Sequence, residues 1–252
     1  MRRFLLALCA LTLLSTGCGG ADGSLLATAV RNTEEAGGAE VAFQMEVELP
    51  GQAQPIVMTG SGVEDAKNKL ASLTFEGPPP IGRMDMVQEG LVMYMRSDMF
   101  SGRFGGKEWM KMDLEEIGSS MGLDMSELAT VQTASDQLRV LEAASDGVTE
   151  LGTETVRGAR TTHYSATVDL ERLPNGDQIA ELSGVTEMPV DVWIDGDDRI
   201  RRVEIEQAMG AAGVEMRMHI AAEYVRFGVP VDVDVPGDDE VFDVSDLVNA
   251  GS

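Results

Sequence analysis

Cysteine, histidine, aromatic residues and positive charge are all scarce in this chain of 252 residues, and each scarcity excludes something. Two Cys and two His are too few for a zinc or iron-sulfur site and too few for a disulfide framework. Only 19 Lys and Arg stand against 43 Asp and Glu, a formal charge of -24, which disfavours nucleic acid on Coulombic grounds. Aromatics are 5% of the chain, so few large rings are available to plug the interior of a barrel. What is present, 43% hydrophobic and 25% charged residues, is ordinary globular composition with room for one sizeable core.

The N-terminus carries an address. Met1-Arg2-Arg3 is basic, and the apolar run from Phe4 to Leu14 is too short to cross a bilayer but suits the core of an export signal. Ser15-Thr16-Gly17-Cys18 then resembles the lipobox of bacterial lipoproteins, with Ser15 where Leu is usual. That resemblance implies acylation of Cys18 and cleavage before it, which also removes Cys9, Arg2 and Arg3 and leaves the mature chain more acidic still. Two or more acyl chains would hold it stably on a membrane. The expected organisation is a signal over 1–17, a lipidated Cys and flexible tether over 18–24, one domain over 25–245 and a tail over 246–252.

Within that domain the periodicity predicts a helix from Leu25 to Glu35 capped by Ser24, with Leu25, Leu26, Ala29 and Val30 on one face. From Glu40 the period changes to two: Val41, Phe43, Met45, Val47 and Leu49 alternate with polar or small residues until Pro50-Gly51 ends the strand. Further strands are expected at about Pro55–Val63, Lys69–Phe75, Arg83–Gln88, Leu91–Arg96 and Glu108–Leu114. Helices are expected at Ser126–Val131, Ser135–Ala144 and Asp177–Leu182. Strands at Gly147–Val156, Arg160–Asp169, Met188–Ile194, Ile200–Ala208 and Val214–Tyr224 complete the pattern, and Asp238-Asp239-Glu240 reads as a solvated tail. The fold class is therefore α+β: about ten or eleven antiparallel strands in a sheet that twist drives to curl or close, with two or three helices.

Methionine is the abundant oddity, at 16 residues. Met84 and Met86, Met93 and Met95, Met110 and Met112, and Met216 and Met218 sit two apart, a spacing that points both side chains to one face of a strand. Met is a poor strand former but adapts to variable apolar partners. Two readings follow: a pliable cavity for a hydrophobic molecule, or ordinary packing between sheet and helices, which composition alone favours. The cavity candidates on the apolar parity are Met45, Met58, Met84, Met86, Met93, Met110, Met112, Val190, Val192, Val203, Met216 and Met218.

Chemistry is harder to find. His163 and His219 lack the spacing of a metal pair, no Gly-x-Ser-x-Gly elbow occurs, and Trp193 breaks the ligand spacing that a calcium loop would need around Asp191, Asp195, Asp197 and Asp198. No enzyme activity, cofactor or metal is expected.

Four strings bring a family into view. Leu91-Val92-Met93-Tyr94-Met95-Arg96 with Gly106-Lys107-Glu108-Trp109-Met110-Lys111-Met112-Asp113 is the first, and Gly158-Ala159-Arg160-Thr161-Thr162-His163-Tyr164 with Val168-Asp169-Leu170 the second. Pro189-Val190-Asp191-Val192-Trp193-Ile194-Asp195 is the third, and Tyr224-Val225-Arg226-Phe227-Gly228-Val229-Pro230-Val231-Asp232-Val233 the fourth. Their order resembles that of mycobacterial LprG/LppX-type lipoproteins, which are similar in fold to the LolA and LolB carriers. The resemblance implies a strongly curved half-barrel sheet with helices packed across its concave side, an apolar cavity between sheet and helices, a lipid or glycolipid ligand, and residence on the outer face of the cytoplasmic membrane. It leaves open an envelope transporter as partner. The alternative is a structural or interaction lipoprotein whose core is filled by its own side chains.

Overall fold

The computed structural model describes residues 23–52, 54–100, 102, 104–116, 147–172, 185–211 and 214–244. The expected signal, Cys18, the helices at 126–131, 135–144 and 177–182, and the tail at 246–252 lie outside the described residues.

Helix α1 spans Gly23–Glu35, two residues earlier than the periodicity placed its start, so Ser24 lies inside the first turn rather than capping it. Leu26, Ala29, Val30 and Thr33 recur at three and four residues and are all buried. Thr33 Oγ1 donates to Ala29 O at 2.7 Å and accepts from Ile200 N at 2.9 Å, so one hydroxyl ties the helix to the sheet.

The strands are β1 (Ala39–Glu48), β2 (Ile56–Asp65), β3 (Leu70–Glu76), β4 (Arg83–Glu89), β5 (Val92–Ser97), β6 (Trp109–Asp113), β7 (Thr149–Val156), β8 (Ala159–Asp169), β9 (Glu187–Asp195), β10 (Ile200–Ala211), β11 (Val214–Phe227) and β12 (Val241–Asp243). They form one curved, unclosed sheet in the order β12-β6-β5-β4-β3-β2-β1-β11-β10-β9-β8-β7. Two meanders, β1 to β6 and β7 to β11, are joined where β1 pairs antiparallel with β11. Short loops explain the meanders. Arg157 and Gly158 both take positive φ, 48° and 84°, in the two-residue turn that closes β7 on β8, the backbone that matches strand twist in a tight hairpin. At the β9–β10 turn, Asp195 Oδ1 accepts from the backbone N–H of Asp197 at 2.9 Å and of Arg199 at 3.1 Å.

A second expectation fails. Asp238-Asp239-Glu240 is not a free solvated tail, because it leads into a twelfth strand, β12, that pairs in parallel with β6. Glu240 O accepts from both Glu108 N and Trp109 N at 3.1 Å, and Lys107 Nζ donates to the carbonyls of Asp238 and Asp239. Lys111 Nζ meets Asp243 Oδ2 at 2.6 Å, a contact that raises the Lys111 pKa, and Phe242 stacks on Phe104 at 4.6 Å. The acidic side chains are indeed exposed, but the backbone between them satisfies the edge of β6. Lys111→Met is therefore expected to loosen this edge by about 1 kcal/mol, since the pair is partly exposed. Hydrogen exchange should show faster exchange at Trp109 N and Val244 N, with the β8–β9 amides unchanged.

Candidate functional site

The register shows which residues share a face, because directly opposed residues in a sheet point the same way. Met112 on β6 faces Met93, and that rung continues through Gln88, Ala71 and Glu64 to Ala39. The next runs Met110, Met95, Met86, Leu73, Gly62, Val41, Tyr224. A third runs from Met84 through Phe75, Gly60, Phe43, Ala222, Val203 and Val192 to Tyr164. Beyond it come Met58, Met45, Ile220, Ile205 and Val190, then Val47 with Met218, and finally Met216, two residues before Met218 on β11. All twelve cavity candidates therefore lie on a single face, although they come from eight strands.

That face has two parts. Val190, Val192 and Val203 belong to a closed cluster with Leu26 and Val30 of α1, Val41 and Ile200, and are at most 1% exposed. Met86 and Met93 are also buried. Met45, Met58, Met84, Met110, Met112, Met216 and Met218 are only half-buried, so they form apolar margins on either side of the closed cluster. Between the margins, the rings of Phe43 and Phe75 approach to 5.9 Å across Gly60, whose missing side chain gives Phe75 its place.

Among the members of this face outside the twelve candidates, three stand out. Met95 fills the gap between Met86 and Met110 and was legible as the partner of Met93. Glu64, 2% exposed, and Gln88, 6% exposed, are polar residues at apolar positions, flanking the small Ala71. The only signal of them in the sequence was an interruption of the alternation.

The opposite face is ionic. Asp85 receives hydrogen bonds from Arg83 (Nη2 at 2.8 Å), Arg96 (Nη2 at 3.0 Å) and Thr74 (Oγ1 at 2.9 Å). Burial pushes its pKa up, but those hydrogen bonds outweigh burial and hold the carboxyl below its usual range. Arg96 also lies 4.7 Å over the ring of Trp109, beside a hollow of about 420 Å³ that is lined by Thr74, Asp85, Asp234 and Glu240 among others. On the far side, His163 Nε2 lies 2.9 Å from Asp191 Oδ1, and its ring stacks on Trp193 at 4.1 Å, with Arg202 lying over that same indole. His219 Nε2 is 3.7 Å from Glu204 Oε2 in a second hollow of about 500 Å³. Among the described residues, no three His, Cys, Asp or Glu converge as metal ligands. No described helix is long and apolar enough to cross a membrane.

The chain is 29% identical over 154 residues to "Putative lipoprotein SCO4650" of Streptomyces coelicolor, covering 60% of this chain and 47% of that protein. The chain is similar to bacterial lipoproteins. It is also 28% identical over 169 residues to an uncharacterized 31.2 kDa protein of the rplA-rplJ intergenic region of Streptomyces griseus, covering 61% of this chain and 54% of that one. The chain thus spans about half the length of the curated relatives it matches. Among solved structures it is similar to the Mycobacterium tuberculosis lipoprotein LppX, at 20% identity and a TM-score of 0.49, over 85% of this chain and all of that one. No family model matches.

Proposed function

We propose that this chain is a membrane-anchored lipoprotein that binds, and carries, lipid or another hydrophobic molecule at the outer face of the cytoplasmic membrane. One observation supports this most: twelve apolar candidates read from parity share one face, and seven of them remain half-buried beside a core that is already closed. A half-buried Met margin continuous with a core offers acyl chains a surface that adapts to their shape. Each buried methylene would contribute about 0.8 kcal/mol, without any catalytic group. Cys18, acylated, would confine the search for lipid to the membrane surface, and the strongly negative charge would keep the domain off anionic headgroups. The alternative, an interaction lipoprotein with no ligand, draws on the closed packing of Val190, Val192 and Val203.

The two readings separate in native mass spectrometry of the full chain, carrying Cys18→Ser to remove its own acyl group and purified from a Streptomyces host. A discrete adduct of lipid mass is expected. Met110→Lys and Met216→Lys, both at margin positions, should each reduce adduct occupancy at least tenfold while leaving the far-ultraviolet circular dichroism unchanged. A clean mass that stays clean after incubation with total membrane lipid overturns the carrier and favours the interaction lipoprotein.

A further inference from the structure

The wall formed by β4, β5 and β6 uses Met at Met84, Met86, Met93, Met95, Met110 and Met112, yet one position on the same face is Gln88. Gln and Met have nearly the same length and flexibility, so the difference between them is essentially one amide. Gln88 is 6% exposed, opposite Ala71 on β3 and Met93 on β5. Its Nε2 donates to Gly90 O at 3.1 Å, at the turn between β4 and β5. That bond settles which way the amide points, since the reverse orientation would set Oε1 against the Gly90 carbonyl. Oε1 is thereby turned away from the turn, and it has no hydrogen-bond partner.

A buried acceptor without a donor lowers the stability of the folded chain, and a thioether of the same shape would avoid that loss. Buried polar atoms left unmet call for an explanation, and here the neighbours supply one: Ala71 is small, and Met93 is pliable. Gln88 shares its rung with Met93 and Met112, so a ligand lying along the Met wall would run beside it. We infer that Gln88 Oε1 is a recognition point for an uncharged hydrogen-bond donor on the ligand, so that the chain selects hydroxyl-bearing lipids over plain hydrocarbon chains. The inference rests on the lipid-binding reading above and narrows it to a chemical class. A donor in this position restores the bond that Oε1 lacks, whereas a methylene leaves it unmet. Discrimination by a buried polar group therefore exceeds what shape alone provides.

The test compares methyl stearate with methyl 3-hydroxystearate, methyl 12-hydroxystearate and octadecanol as competing probes, on the full chain and on its Gln88→Met variant, by native mass spectrometry. At least one hydroxylated probe should be preferred about tenfold over methyl stearate by the unsubstituted chain, a difference of about 1.4 kcal/mol. Gln88→Met should bring that preference to parity by losing the hydroxylated probe while still holding methyl stearate, with a melting temperature equal to or above that of the parent. Equal uptake of all four probes by the unsubstituted chain, or a preference that survives Gln88→Met, overturns the recognition point and leaves the carrier reading standing. Uptake of none of the probes overturns both.

Discussion

Asp195→Ala is expected to lower the unfolding free energy by about 4 kcal/mol, because it removes the one carboxylate that serves a turn and two guanidinium groups at once. Asp195 is buried at the end of β9. Its Oδ1 holds the backbone of the β9–β10 turn, and its Oδ2 accepts from Arg201 Nε at 2.7 Å and lies 3.5 Å from Arg199 Nη2. Both Arg residues in turn lie over the ring of Phe227 on β11, at 4.9 and 4.7 Å, so the ion cluster fastens β9, β10 and β11 together. Truncation leaves the half-buried Arg201 without this partner and leaves two N–H groups of the turn unmet. Asp195→Asn keeps the turn acceptor but loses both the charge and the Oδ2 acceptor that Arg201 uses, so it should cost about 2 kcal/mol.

The same carboxyl determines part of the pH response. Burial pushes the Asp195 pKa up, but the hydrogen bond from Arg201 and those from the N–H groups of Arg199 and Asp197 win, and the folded value lies below the ordinary 3.8. A depressed folded pKa means that the stabilisation is fully present above the unfolded value and is lost as pH falls through the folded one. Asp85 acts in the same direction. Urea denaturation at pH 7 should therefore separate the parent from Asp195→Asn, and the gap should narrow progressively below pH 3.8. Equal stability of the two at pH 7 would show that the charge contributes nothing.

Parity was legible because the side-chain period of a strand is a local property. The alternation at Val41, Phe43, Met45 and Val47 and the Met pairs of β4, β5 and β6 identify faces without knowledge of any partner strand. The join of β1 to β11 was not legible, because the same alternation is compatible with any neighbour, and the pairing spans nearly the whole chain. β12 escaped for a different reason. Three residues are too few to show a period, and the acidic side chains before them described the surface correctly while saying nothing of the carbonyls that dock on β6. Gln88 and Glu64 escaped because a polar residue on an apolar parity reads as a break in a strand, whereas here the strands continue through both.

Gly62→Val is expected to be comparably damaging, about 3 kcal/mol or more, although glycine is ordinarily a weak strand residue whose replacement should help. A Cβ added at Gly62 would meet Ser72 O at 2.0 Å and Leu73 Cα at 2.8 Å, both backbone atoms of β3. Backbone cannot step aside without breaking the β2–β3 ladder, so the neighbouring strand would have to move. Gly60, two residues earlier on the same face, is obstructed mainly by the ring of Phe75 at 2.5 Å, and a ring can rotate. Gly60→Ala should accordingly cost only about 1 kcal/mol, with the Phe43–Phe75 contact loosened. The contrast shows what the glycines do: at Gly62 the backbone of β3 stands where a side chain would lie, on the rung that runs from Met86 through Leu73 to Val41. Displacing β3 would break that rung of the apolar face. Gly62→Val, if it folds at all, should therefore also lose the lipid adduct, whereas Gly60→Ala should keep it. Chemical denaturation and native mass spectrometry on the two variants would read both effects from the same preparations.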